Sequence, residues 1–208
     1  MKDNAIIITV FFIGCLVGWS GIAPEAIKEN NPAIYILYAL MFQVGISIGS
    51  DKNLKTMVKS LRLKMLLLPL STILGTLLFS ALISIVLTRW TVFDCLAVGS
   101  GFAYYSLSSI LITELKGASL GVQVAAELGT IALLANIMRE MMALLGTPLL
   151  ARFFGRFAPI SAAGVNSMDV ILPTITKYTG KEMTTFAIFH GILVDMSVPF
   201  FVTLFCTL

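Results

Sequence analysis

The chain has 208 residues, 58% of them hydrophobic and only 12% charged, with a formal net charge of +3 and a mean hydropathy of +0.96. A soluble domain carries about a quarter charged residues, so this composition excludes an ordinary water-soluble fold and predicts an all-α polytopic membrane protein, read as one domain over residues 1–208. The small positive charge sits mostly in one loop, so it speaks to topology and not to nucleic-acid binding.

Seven apolar segments can be drawn, about 5–22, 33–49, 63–88, 92–113, 120–150, 161–178 and 183–207. A span needs about 20 residues at 1.5 Å each, and most of these qualify. The first, FFIGCLVGWSGIAP, is punctuated by Gly14, Gly18 and Gly21. Small residues of this kind suit close helix packing, or an unwound helix crossing another segment. Its charged leader MKDN is weak and the apolar run continues to Ile22, which fits a retained span better than a cleavable signal. After the second segment comes DKNLKTMVKSLRLK, with Lys52, Lys55, Lys59, Arg62 and Lys64 against Asp51. The positive-inside rule makes this loop cytoplasmic, with the N-terminus inside and the C-terminus outside. Counted across seven spans, the loop holding Glu25, Lys28 and Glu29 falls outside, and so do Arg152 and Arg156, against the rule.

The fourth segment holds GSGFAYYSLSSI, in which Tyr104, Tyr105, Ser106, Ser108 and Ser109 give a helix unusual polar content. Tyrosine can box an ammonium group by cation–π contact and serine can line a wet path, although serines serve helix packing equally well. In the fifth, Asn136, Glu140, Ala143 and Thr147 recur at helical spacing and share one face. Arg139 is the neighbour that could neutralise Glu140 or an acid on another helix. The sixth, ISAAGVNSMDVILPTI, is interrupted by Gly164, Asn166, Ser167 and Pro173. It reads as two half-helices or a re-entrant turn, the second half beginning near Ser167, capped by Asn166 and Ser167, with Asp169 in its first turn and Pro173 disturbing the run. In the seventh, His190 and Asp195 lie five residues apart, about 140° around a helix, and do not share a face.

An isolated ionised carboxylate in hydrocarbon is costly, so an intramembrane acid faces a partner, a water-filled cavity or a passing cation. Glu140 and Asp169, with Asp195 as a third acid, therefore predict a pore or carrier for something positively charged. The end of a half-helix at membrane depth would receive an anionic group such as a substrate carboxylate. Cys15, Cys95 and Cys206 are far apart, odd in number and read as small core residues. No metal-ligand cluster has plausible spacing, and no cofactor is expected.

Together, GFAYYSLSSILITEL, ANIMREMMALLGTPLL, GVNSMDVILPTITKYTG and FHGILVDMSVP resemble the bacterial lysine exporter family (LysO type). YALMFQVGISIG and its basic loop extend the resemblance over essentially the whole chain. The resemblance implies an inner-membrane exporter of lysine and lysine analogues coupled to the proton gradient, with Glu140 and Asp169 essential to translocation. It also implies an architecture similar to the cation/proton antiporter type, with inverted repeats and crossed broken helices, the sixth segment being one and the glycine-rich first segment the other. Full-length members carry further helices before the matched region, which implies a short companion membrane chain or a homo-oligomer. Two residues depart from the family pattern: Asp195 stands where a small residue is expected, and Asn166 where the pattern has Thr. The rival readings are an exporter of another cation or basic amino acid, an intramembrane protease pairing Ser167 with His190 or Asp169 with Asp195, and a scaffolding subunit.

Overall fold

The computed structural model describes residues 63–208, together with scattered helical positions between Ile13 and Ile46. Expectations for the first two segments, Cys15 and the basic loop therefore lie outside the described residues. The described helices belong to the compact unit Ile46–Leu208. They are, in order, α1 (Leu63–Ile83), α2 (Val92–Gly99), α3 (Tyr105–Leu120), α4 (Val122–Phe154), α5 (Ala158–Ala163), α6 (Leu172–Thr179) and α7 (Thr184–Thr207), with 3-10 turns at Gly164–Met168 and Lys181–Met183. Among the described residues, three stretches are long and apolar enough to cross a membrane: Met65–Ile83, Val122–Phe154 and Lys181–Thr207. With 33 residues, α4 runs about 50 Å at 1.5 Å per residue, longer than the roughly 30 Å hydrocarbon core.

One expected span is corrected, and one expected break takes the form of a hairpin. The segment over 92–113 is broken at residues 100–104, between α2 and α3. Were α2 and α3 collinear, Asp94 and Lys116 would stand about 30 Å apart at helical rise; instead Lys116 Nζ lies 2.9 Å from an Asp94 carboxylate oxygen. The chain therefore doubles back as a helical hairpin, hairpin 1, with its tip at residues 100–104. It returns to Gly121, whose φ of +81° lets α4 start directly after α3.

The segment over 161–178 doubles back as well. Arg156, before α5, is 2.6 Å from Glu182, after α6, so the stretch between them forms hairpin 2. Its legs bury Ile160 and Ala163 of α5 with Ile175 of α6 and Ile171, in one core with Ala143, Met183 and Ala187. Hairpin 1 opens at the start of α4 and hairpin 2 at its end, and their tips meet between. The Val165 N–H donates to the Phe102 carbonyl at 3.0 Å.

The outer surface is apolar: Leu67, Leu70, Leu74, Leu78 and Phe79 on α1, and Leu134, Met138, Met142, Leu145 and Leu149 on α4, are exposed. The interior carries the polar side chains Thr72, Ser108, Asn136, Thr147, Asn166, Ser167, His190 and Asp195. Apolar outside and polar inside is the arrangement lipid demands. Cys95 and Cys206 are buried and free, as small core residues would be.

Candidate functional site

Hairpin 1 begins with a reciprocal cap. The Thr91 hydroxyl accepts from the Asp94 N–H, and the Asp94 carboxylate accepts from the Thr91 N–H. The same carboxylate takes the Lys116 ammonium, so one buried acid ties together the helix start and both legs. The tip itself is strained. Phe102 and Ala103 are fully buried non-glycine residues with φ of +46° and +74°, a left-handed conformation disfavoured by the Cβ clash. Asn136 of α4 holds them there. Its Oδ1 accepts from the Ala103 N–H at 2.8 Å, and its Nδ2 donates to the carbonyls of Ala132 (2.9 Å) and Val98 (3.2 Å). The expected polar face of α4 is present, since Asn136, Ala143 and Thr147 are all buried along it, and Asn136 uses that face to fasten the tip.

Hairpin 2 turns at Gly164, whose φ of +60° is joined by a second constraint: a Cβ there would strike the Phe102 carbonyl. From Gly164 to Met168 the chain is 3-10, and α6 begins at Leu172 without a side-chain cap. This corrects the expected half-helix start. Asn166 and Ser167 do not cap α6, Asp169 precedes it, and Pro173 falls in its first turn, where a missing N–H costs nothing. Asn166 instead donates to the Ala103 carbonyl at 3.4 Å, adding a second link between the tips.

Around the joined tips stand the acids. Glu140, half-buried on α4, has the Asn166 amide beside it and Asp169 within electrostatic reach. Asp169, at the end of the 3-10 turn, is exposed among the described residues. Asp195, on α7, is 4% exposed and also within reach of Asp169. The Tyr104 side chain, at the end of the hairpin 1 tip, feels both Asp169 and Asp195. The structure thus gathers Glu140, Asp169, Asp195, Asn166 and Tyr104 from α4, both tips and α7.

Arg139 joins neither Glu140 nor Asp195 in an ion pair among the described residues. Its guanidinium donates to the carbonyls of Ala162 (3.1 Å) and Ser161 (3.2 Å) and to the Thr76 hydroxyl (3.3 Å), with the Phe102 ring 5.9 Å away. A cation on carbonyls in the last turn of α5 satisfies groups the helix leaves open. The acids are left without that counter-charge.

His190 is fully buried in a chain of hydrogen bonds. Its Nδ1 is 3.1 Å from the Ser167 hydroxyl and its Nε2 is 3.0 Å from the Thr72 hydroxyl, which meets Ser161 at 2.7 Å. Ser167 and His190 do stand side by side, but Ser167 is fully buried, donates to the Ala187 carbonyl, and has no carboxylate behind its histidine. The pair ties α7 to hairpin 2 and α1, and lacks the orienting acid of a nucleophilic triad. Tyr105 and Ser106 are exposed in the first turn of α3.

Sequence reasoning missed Thr72, Ser161 and the Asp94–Lys116 pair. The last had a signal: Lys116 is a cation inside an otherwise weakly charged stretch, LITELKGASLG, and needs a partner.

The family profile described as lysine exporter LysO matches residues 8–206. "Lysine exporter LysO" of Escherichia coli (strain K12) is 30% identical over 201 residues, covering 94% of this chain and 62% of its own length. "Putative lysine exporter" of Haemophilus influenzae (strain ATCC 51907 / DSM 11121 / KW20 / Rd) is 28% identical over 203 residues, with 96% of each chain covered. The chain therefore spans less than two thirds of the Escherichia coli relative and nearly all of the Haemophilus influenzae one. No solved structure matches it. With the profile running almost from one end to the other, the chain belongs to the lysine exporter LysO family.

Proposed function

We propose that this chain is a proton-coupled exporter of L-lysine and its analogues in the bacterial inner membrane, a transport domain and not an enzyme. The observation that carries the reading is the convergence of Glu140, Asp169 and Asp195 on the hairpin tips, with the nearest arginine committed to α5. Uncompensated carboxylates at that depth call for a cationic guest. Lysine brings two ammonium groups, suited to Glu140 and Asp169, and protons moving inward displace it. The names carried by the two relatives support lysine as the guest.

The hairpins also recast the expected topology. The basic loop before α1 puts the start of α1 in the cytoplasm. α1 then leads outward, hairpin 1 enters and returns on the outer side, and α4 descends to the cytoplasm. Arg152, Arg156, Lys177 and Lys181 gather at that inner end, which removes the conflict with the positive-inside rule that seven simple spans created. Hairpin 2 enters from the cytoplasm and α7 ends outside, so the expected sides of both termini are kept. Two hairpins entering from opposite faces and meeting tip to tip support an inverted-repeat architecture of the antiporter kind.

The test is counterflow of radiolabelled lysine in proteoliposomes containing this chain, driven by a pH gradient. Lysine movement that collapses with the gradient, and is abolished in Asp169→Asn while the protein stays folded in the bilayer, is the expected result. Full activity in Asp169→Asn sinks the mechanism. Transport of sodium or arginine in place of lysine would move the chain to another cationic substrate. Activity appearing only on co-reconstitution with a short companion membrane chain would establish that partner, and a cross-linked dimer of active protein would establish a homo-oligomer.

A further inference from the structure

We propose that Asp195 is the proton-carrying group of this exporter, set apart from Glu140 and Asp169, which hold the cationic substrate. The inference rests on the lysine-exporter reading and assigns roles within its site.

The first observation is a buried carboxylate with no hydrogen-bond partner among the described residues. Buried polar side chains are almost always hydrogen-bonded, and each exception asks for a cause. Here Thr72, Ser108, Asn136, Thr147, Asn166, Ser167, Thr179 and His190 all have partners, and Asp94 and Lys116 have each other. Asp195 is 4% exposed and makes no hydrogen bond with any described residue. A carboxylate left this way is costly when ionised and far less so when it carries a proton.

The second is its placement. Gly191 lies one helical turn before Asp195 on the same face of α7, and a Cβ there would press on Met168 and the Val165 carbonyl of the hairpin 2 tip. Val194 and Val198, fully buried, flank the acid on that side. Asp195 therefore looks toward the joined tips. The titratable groups within electrostatic reach of it are Asp169 from hairpin 2 and Tyr104 from hairpin 1. Glu140 of α4 is likewise within electrostatic reach of Asp169. His190 lies about 140° away around α7 and Arg139 is held at the end of α5, so neither supplies a counter-charge.

The third is access. Asp169 is exposed and Glu140 half-buried among the described residues, so an ammonium group can reach both. Asp195 is reachable by a proton and not by a lysine side chain. Ionised, it deepens the negative potential at Asp169 and strengthens the hold on lysine; protonated, it withdraws that help. Linkage makes the effect reciprocal: bound lysine expels the proton from Asp195, and a proton taken up there loosens lysine. That mutual exclusion is what exchange of one for the other requires.

The experiment is calorimetric titration of lysine into the full chain in nanodiscs between pH 5.5 and 8.5. In the wild type, affinity falls roughly tenfold from the alkaline to the acid end, within the usual range of site-to-site coupling. Asp195→Asn imitates the protonated acid, so its affinity stays at the wild-type acid value across the whole range, whereas Asp195→Glu restores the pH dependence. An Asp195→Asn protein that keeps the wild-type pH dependence overturns the inference and leaves the exporter reading standing. One that binds no lysine at any pH, while eluting as folded protein, overturns it too, by making Asp195 a substrate ligand. A wild type that binds no lysine at all removes the exporter reading, and this inference with it.

Discussion

Hairpins 1 and 2 meet at their tips but are fastened very differently. Hairpin 1 is closed at its open end by Asp94 and Lys116, whose side chains are 3% and 9% exposed, and at its tip by the Asn136 hydrogen bonds to Ala103, Val98 and Ser108. Hairpin 2 is closed at its open end by Arg156 and Glu182, 63% and 62% exposed, and at its tip by the Ser167–His190–Thr72 chain. A buried, hydrogen-bonded ion pair is a constraint that fails expensively when one partner is removed, whereas an exposed pair contributes little. Hairpin 1 is thus the more firmly fastened at its base, and we expect any relative movement of the tips to fall on hairpin 2. Under the proposed transport function this asymmetry would matter, because Asp169 lies on hairpin 2 and Glu140 on α4.

The sharpest way to break the comparison is Lys116→Met. It strands the Asp94 carboxylate in the interior, and we expect a loss of about 3–5 kcal/mol in unfolding stability in detergent. Asp94→Asn added to it should recover most of that loss, since the charge that lacked a partner is gone. A Lys116→Met protein as stable as the wild type would mean that hairpin 1 is not anchored at its base. Next in size comes Asn136→Leu, which leaves the Ala103 N–H without an acceptor at a fully buried, left-handed turn. The expected cost is about 1–3 kcal/mol. Lysine transport should fall further than stability does, because the strained tip it releases faces the acids. Equal falls in both would assign Asn136 to stability alone.

How much of this was legible in the sequence differs from residue to residue. The buried face through Asn136, Ala143 and Thr147 could be read directly, because spacing along a helix is a local property, and the cost of charge in hydrocarbon is what singled out Glu140 and Asp169 for the proposed site. The glycine and proline of the sixth segment announced a break, although Pro173 starts α6 instead of disturbing it. The reversal at residues 100–104 could not be read. An apolar stretch from 92 to 113 has the length of a span, and nothing local separates a helix that crosses from one that bends back. What separates them is a contact between Asp94 and Lys116, which only tertiary structure brings together. Its faint trace was the charge conflict at Arg152 and Arg156, which a seven-span count placed outside, against the positive-inside rule. The division of the polar residues into fasteners and site was equally hidden. Asn136 and His190 look as much like transport residues as Glu140 does until their partners are seen.

The smallest effect is the most discriminating test of the asymmetry. Glu182→Gln removes the charge from the Arg156 pair without changing its shape, and because both side chains are largely exposed the stability should change by less than about 1 kcal/mol. If hairpin 2 were merely a weaker copy of hairpin 1, that small loss would be the whole consequence. If it is the moving half, loosening its base should also change the rate at which it moves. Lysine turnover would then shift while unfolding stability and lysine affinity hold still, and the shift should shrink in the wild type as salt is raised, since an exposed pair is screened within a Debye length of about 8 Å at physiological ionic strength. An unchanged turnover in Glu182→Gln at low salt would assign the motion elsewhere and leave the two hairpins different in stability but alike in function.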